Sequence, residues 1–305
     1  MDQKNPLVTI ITPVYNRADL VEETIQSVLS QDYPNIEYIL LDDGSRDNSW
    51  DILQTYKDRA TLERHANMGE TQTVNKGLSM AKGEIIGIVN SDDPLLPGAV
   101  SKIVRQFLTH PEVSVVYPDW KKIDGKGFVF EEVKTPDYDY EYILKNFHCV
   151  PGPGTFFRAS LAKKLGGRDA RFKYVADFDF WLRAGLLEPF CRLSETLATF
   201  RVHGGSASAS SLRNEMPQEH IDLAKKIYAM PDFPRRYKKF KNDTFSSAYF
   251  LAWWFSAKKN SFQAMKFLLL SFVYNPKRYL AIVKDRSLKP AKRAIKKICL
   301  PRNRK

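Results

Sequence analysis

Residues 7–41, LVTIITPVYNRADLVEETIQSVLSQDYPNIEYILL, decide the fold. The β-branched apolar run Leu7–Pro13 reads as a buried strand. Across residues 19–31 the apolar positions Val21, Ile25, Val28 and Leu29 share one helical stripe. Ile36–Leu41 is a second strand. Strand, helix and strand within about 35 residues make the βαβ unit of a parallel sheet.

Outward from this unit the rhythm repeats. Asp47–Asp58, Glu70–Ala81 and Ala99–Leu108 carry helical spacing, while Ile85–Val89 and Val113–Tyr117 read as strands. The first 120 residues therefore read as a doubly wound, nucleotide-binding-like half of an α/β protein. The rest is less regular. Gly125–Phe130 suggests a hairpin, and Pro151–Gly154 a loop before the strand Thr155–Arg158. A helix begins near Asp177, Leu193–Val202 is a further strand, and the chain is helical from Glu215 onward.

In open α/β sheets, ligands bind outside the carboxyl ends of the strands. Three strands here deliver polar clusters to that rim: Pro13-Val14-Tyr15-Asn16-Arg17, Asp42-Asp43-Gly44-Ser45 and Asn90-Ser91-Asp92-Asp93. A planar base can stack on Tyr15, and Asp43 can accept a base N–H or a ribose hydroxyl. The adjacent carboxylates of Asp92 and Asp93 suit a hard cation that also holds phosphate oxygens. Each cluster alone has a plainer reading. DDGS and NSDDP are common turn sequences, and an aromatic in a loop often only packs. Their shared position at three strand ends is what favours a site.

Of the 47 Lys/Arg and 35 Asp/Glu residues, 12 basic and one acidic fall between Lys277 and Lys305, leaving 35 against 34 in the body. The net charge of +12 therefore belongs almost entirely to the C-terminal segment. The three cysteines, Cys149, Cys191 and Cys299, are far apart, and they point to a reducing compartment rather than a disulfide framework. The polar start Met1–Pro6 is unlike a signal peptide, and no apolar run is long enough to span a bilayer. These features point to the cytoplasm.

The ordered set PVYNR, DDGSRDNS, NMGETQTVNKG, NSDDPLLPG, ADFDFWLRAG and FRVHGGSAS resembles family 2 glycosyltransferases over about residues 6–210. The resemblance implies a GT-A type doubly wound mixed sheet with helices on both faces, followed by a C-terminal helical extension. It implies inverting transfer from a nucleoside-diphosphate sugar to an acceptor hydroxyl, assisted by Mg²⁺ or Mn²⁺. Pro13, Tyr15 and Asp43 then fall where the family holds the nucleoside, with Asn16, Asn75, Asn90 and Asp92 beside them on the donor. Asp92 and Asp93 fall at the acidic metal motif, with His203 as a further metal or diphosphate contact. Asp177 falls at the acceptor-activating base. The expected organisation is a catalytic domain over 1–212, divided into a nucleotide-sugar half (1–120) and an acceptor half (121–212). A helical extension (213–276) and a basic amphipathic tail (277–305) follow.

Three positions depart from the family pattern. Asn90 stands where the metal motif often begins with Asp, Ala176 where Glu often precedes the base, and Val74 where a basic residue is common. Asp179 is the fallback base, although its spacing to Arg183 reads as an i,i+4 surface pair. Gly204, Gly205 and Ser206 would let a loop close over a diphosphate through backbone N–H groups.

Phe245–Ala257 and Phe262–Tyr274 read as a helical hairpin packed on the catalytic domain. With the basic tail behind them they also read as a surface for anionic lipid, which would suit a lipid-linked acceptor and a place on the inner face of the membrane. Nucleic acid is a poorer partner, because Lys289–Lys305 has no aromatic residue for stacking. A non-catalytic sugar- or nucleotide-binding protein and a nucleotidyltransferase are the competing readings. The presence of Asp92, Asp93 and Asp177 argues against the first, and the absence of a Gly-rich basic loop after the first strand argues against the second.

Overall fold

The computed structural model describes residues 5–204, 215–257 and 261–284. It opens with β1 (Val8–Val14), α1 (Val21–Leu29), β2 (Ile36–Asp42), α2 (Ser49–Gln54), β3 (Thr61–Arg64), α3 (Glu70–Met80), β4 (Ile85–Ile88) and α4 (Ala99–Thr109). There follow β5 (Val115–Asp124), β6 (Val129–Val133), α5 (Tyr140–Asn146), β7 (Phe156–Arg158), α6 (Ala159–Leu165), α7 (Ala176–Ala184) and β8 (Phe190–Val202). The helices α8 (Met216–Ala229), α9 (Arg235–Lys238), α10 (Lys241–Ser256), α11 (Ser261–Tyr274) and α12 (Pro276–Lys284) complete it.

The strands form one mixed sheet in the order β3-β2-β1-β4-β7-β5-β6, with β8 paired to β5. β3, β2, β1 and β4 run parallel, β7 and β6 are antiparallel to their neighbours, and β8 is parallel to β5. Alternate side chains of β1 feed two cores. Val8 and Ile10 pack with α1 and α4, and Ile11 packs with Ile39, Leu41, α6 and α7. A sheet buried on both faces needs continuous apolar strands, which is why the parallel half is legible in the sequence. Gly77 lets α3 approach β1, since a Cβ there would lie 2.6 Å from Ile11 Cγ2.

The structure differs from the sequence reading in several places. β3 was not anticipated, because the edge segment TLER has no apolar run and is half-exposed. α2 is shorter than the 47–58 stretch suggests, β5 continues to Asp124, and the hairpin strand β6 starts at Val129. The short helices α5 and α6 also escaped the pattern.

Two compact units divide the described chain. One comprises 5–138 and 149–204, and the other comprises 139–148 and 215–284. The helical unit therefore takes in α5, from within the stretch expected as acceptor half. Inside that unit, α10 and α11 are joined by reciprocal bonds: Ser246 Oγ donates to the Ser271 carbonyl (2.8 Å) and Ser271 Oγ to the Ser246 carbonyl (2.7 Å). α12 packs on the same cluster through Tyr279, Ile282 and Val283. Residues beyond Lys284, most of the basic tail, lie outside the described residues, as do Gly205 and Ser206.

Candidate functional site

The carboxyl ends of β1, β2 and β4 share one rim, as the topology requires. After β1, Pro13 is buried, Tyr15 is 42% exposed, and Asn16 takes a left-handed turn at φ 52°. This turn is fastened to the loop after β2. Asn16 N–H donates to Ser45 Oγ (2.9 Å), Asn16 Oδ1 accepts from Arg46 N–H (2.8 Å), and Arg17 N–H donates to Ser49 Oγ (2.8 Å). The Tyr15 ring is left as the open aromatic surface of the rim.

Asp42 and Asp43 end β2, and both are buried. Asp42 Oδ2 pairs with Arg64 Nε at 3.1 Å and accepts from Ser45 N–H. Asp43 accepts from Met68 N–H (2.7 Å), Gly69 N–H (3.0 Å) and Asn67 Nδ2 (3.2 Å). It thus holds the approach to α3, where unpaired N–H groups and the helix dipole favour a carboxylate. Gly44, at φ 70°, makes the close approach possible, since a Cβ would meet Asn67 N at 2.7 Å.

Asp92 and Asp93 follow β4 and differ sharply. Asp93 is 5% exposed; it accepts from Arg201 N–H (2.8 Å) on Oδ1 and from Asn90 Nδ2 (3.0 Å) on Oδ2. Burial, and then the charge of Asp92, push its carboxyl up to about 8. Asp92 is less buried, with 13% of its side chain exposed. Its Oδ2 lies 2.9 Å from His203 Nε2 and 3.4 Å from Arg17 Nε. Arg201, 1% exposed, clamps this turn: Nε donates to the Asp92 carbonyl, Nη1 to the Asp124 carbonyl (both 3.1 Å) and Nη2 to Glu23 (2.5 Å).

Asp177 lies in the first turn of α7, partly open to solvent. One oxygen accepts from Phe178 N–H at 2.7 Å, and no described residue donates to the other. Asp179, two residues on, is fully buried and paired with Arg183 at 2.8 Å, not on the surface as its spacing suggested. Arg183 also donates to the carbonyls of Leu165 and Gly167, both at 2.8 Å. Asn75 pins the same loop, accepting from Arg168 N–H and donating to the Arg168 carbonyl, both at 2.8 Å. Asn75 therefore spends both ends of its amide on backbone, and Val74 beside it is fully buried.

Two further charged residues near this rim, Glu70 and Arg168, were given no role from the sequence, although Glu70 lies within NMGETQTVNKG. Glu70, at the start of α3, is half-exposed and 3.4 Å from Arg168, which the Asn75-bound loop presents. Its desolvated surroundings raise the Glu70 carboxyl; Arg168 opposes this, and Asp177 and Asp92 reinforce it. Glu70 thus feels both Asp177 and Asp92. Burial and Asp177 likewise raise the Cys149 thiol. Glu70 and Arg168 are 98 residues apart in the chain, and nothing local marks them as neighbours. Arg201 was discoverable: in the strand segment Arg201-Val202-His203, period-2 alternation puts it on the face of His203.

Among the described residues no group of three or more His, Cys, Asp or Glu side chains is gathered for a metal. The Asp92–His203 pair nevertheless fits a divalent cation. A carboxylate oxygen and an imidazole nitrogen adjoin at the cleft, and Mg²⁺ needs only one or two protein ligands when phosphates complete the shell. Asp93 fits less well, since both of its oxygens already accept hydrogen bonds.

The family profile for glycosyl transferase family 2 matches residues 9–166. An uncharacterized glycosyltransferase, RT0329 of Rickettsia typhi, is 31% identical over 223 residues, covering 68% of this chain and 68% of the relative. The UDP-Glc:alpha-D-GlcNAc-diphosphoundecaprenol beta-1,3-glucosyltransferase WfaP of Escherichia coli is 29% identical over 222 residues, 70% of this chain and 85% of that one. Among solved structures, S. aureus TarS 1–349 in complex with UDP-GlcNAc superposes with a TM-score of 0.68 at 19% identity, over 90% of this chain and 83% of that one. The mannosyltransferase PcManGT of Pyrobaculum calidifontis, in complex with GDP-Man and Mn²⁺, gives 0.62 at 17% identity, over 96% and 81%. At these identities the structural likeness carries the fold, a GT-A type mixed sheet.

Proposed function

The chain belongs to glycosyl transferase family 2 and is a glycosyltransferase, and from that premise we propose that it inverts the anomeric carbon of a nucleoside-diphosphate sugar in one displacement by an acceptor hydroxyl. The observation that carries this reading is Asp177: a carboxylate in the first turn of α7, one oxygen of which no described residue engages. A carboxylate that can take the proton of the acceptor hydroxyl as it attacks is what such a displacement requires. The buried, Arg183-bound Asp179 instead positions the Gly166–Arg168 loop.

Tyr15 stacks the base over buried Pro13, and Asn90 reaches the ribose. Asp43, Asn16 and Asn75 act one step back. Their hydrogen bonds shape the walls of the donor site, and Asn75 delivers Arg168, which supplies near the donor the positive charge that Val74 does not. Asp92 and His203 would hold Mg²⁺ or Mn²⁺, with Asp93 fixing the turn rather than ligating, and the cation would supply positive charge to offset that growing on the leaving diphosphate. Arg17, 3.4 Å from Asp92 Oδ2, orients that carboxylate.

The acceptor is a saccharide or lipid-linked saccharide in cell-surface polysaccharide or glycolipid assembly, in keeping with the diphosphoundecaprenol in the name of the relative WfaP. We place the reaction in the cytoplasm, on the inner face of the membrane. A screen of nucleotide sugars with Mn²⁺, Mg²⁺ or chelator, run on the parent protein and Asp92→Ala, tests the donor and metal assignments. One donor should be hydrolysed only with cation, and only by the parent. Full turnover in excess chelator, or by Asp92→Ala, would end the metal reading.

A further inference from the structure

We propose that the outer face of α11 is a docking surface for an anionic phospholipid bilayer. The inference names the surface behind the membrane location proposed above, and it is independent of the transfer chemistry. α11 carries apolar residues on two sides. Its inner side, with Ala264, Phe267 and Leu268, is buried against α10. Its outer side shows Phe262 (85% exposed), Met265, Leu269 (62%), Phe272 and Val273 (63%). These positions, i, i+3, i+7, i+10 and i+11, lie within an arc of about 120°. A contiguous apolar stripe on a soluble surface marks an interaction site, unlike scattered single residues.

Charge decides between the possible occupants. Lys266 lies at the margin of the stripe, where its stem can follow the apolar side chains and its ammonium can reach a polar layer. α12 adds exposed Leu280 on one hand and exposed Lys277 and Lys284 on the other. The sequence from Lys277 to Lys305 holds 12 basic residues and one acid. A second copy seated on the stripe would bring its own Lys266, Lys277 and Lys284 against those of the first, like charge against like charge. A bilayer with anionic headgroups offers the apolar phase and the opposite charge at once. No described helix is long and apolar enough to cross a membrane, so α11 lies in the interface plane.

The test is co-sedimentation of the full chain with phosphatidylcholine vesicles, with and without phosphatidylglycerol. The variants are Leu269→Glu/Val273→Glu, the milder Phe262→Ser/Leu269→Ser, and Lys277→Gln/Lys284→Gln. All the substituted side chains are exposed, and circular dichroism checks the fold. The parent should partition onto phosphatidylglycerol vesicles and far less onto phosphatidylcholine. Each apolar double variant should lose about tenfold in partitioning, the lysine variant should lose less, and donor hydrolysis in solution should be unchanged. Unaltered partitioning of both apolar variants overturns the proposal, as does equal binding to uncharged vesicles. So does self-association without vesicle binding that Leu269→Glu/Val273→Glu abolishes, which would assign the stripe to a second copy.

Discussion

Arg201→Met is the sharpest test of how the acidic turn is held. The methionine keeps an unbranched stem, shorter than the arginine, and the backbone N–H bond to Asp93, and it removes the three side-chain bonds to Asp92 O, Asp124 O and Glu23. Glu23 is 56% exposed, so water takes over its solvation at little cost. The two carbonyls lose their charged donor, at about 1–3 kcal/mol each where water cannot replace it. Against this, the variant no longer has to desolvate a guanidinium, which offsets part of the loss. The net expectation is about 2–3 kcal/mol, and at roughly 2–4 °C per kcal/mol for a unit of this size Tm falls by about 5–10 °C. Because the same bonds set where Asp92 points, metal-supported donor hydrolysis should fall by about 10²-fold, the scale of a misplacement of about 1 Å. Thermal unfolding and a hydrolysis assay over a range of Mn²⁺ concentrations read the two effects. Glu23→Gln serves as control and should shift Tm by less than about 2 °C. If Arg201→Met melts with the parent and hydrolyses donor normally, the clamp does not exist. If Glu23→Gln costs as much as Arg201→Met, the ion pair and not the carbonyl bonds carries the energy.

Asp177→Asn should lower kcat by about 10²–10⁴-fold while leaving donor affinity unchanged, as expected of a group acting on the acceptor in the transition state; isothermal titration with the nucleoside diphosphate, set beside steady-state kinetics, separates the two. Asp179→Asn should instead destabilise the protein, and a selective kcat loss there with none at Asp177 would move the base by two residues. Burial alone would raise the Asp119 carboxyl, but hydrogen bonds from Thr135 and Arg192 outweigh it and hold the group below its usual range. A pKa lower in the folded than in the unfolded state gives stability that is present above the unfolded value and lost as pH falls through the folded one. Asp119→Asn should therefore cost roughly 2–3 kcal/mol at pH 7 and flatten the acid limb of the stability curve below about pH 4; denaturant midpoints that fall in parallel with the parent across that limb would contradict the assignment.

The sequence made the parallel half of the sheet readable because burial on both faces leaves strands with almost no choice but β-branched and aliphatic residues. Where that pressure is absent, pattern fails: β3 is a four-residue edge, and α5 and α6 are helices of seven residues. The strand-end rule located Tyr15, Asp43, Asp92 and Asp93 on one rim for the same topological reason. It did not say which polar atoms face a ligand and which are spent on the protein. Those partners come from far along the chain: Arg201 is 108 residues from Asp93, and Arg168 is 93 from Asn75. A motif names a residue type at a position; its hydrogen-bond partner is a property of the tertiary fold.

The Asp92–Asp93 pair shows the consequence. Consecutive carboxylates at the end of a strand cannot both serve the cleft and still close the turn beneath it. Here Asp93 turns inward and accepts from the backbone N–H of Arg201 on β8 and from the side-chain amide of Asn90 in its own turn. Its burial beside a second carboxylate raises its pKa, and that cost is tolerable because the backbone it organises is also the backbone that Arg201 grips. The outward residue then stands on a fixed base, with His203 and Arg17 on either side. In this turn the doubled acid thus divides into a buried member spent on Arg201 and Asn90 and a member in contact with His203 and Arg17, and partners distant in the chain, which the sequence alone does not show, decide which is which.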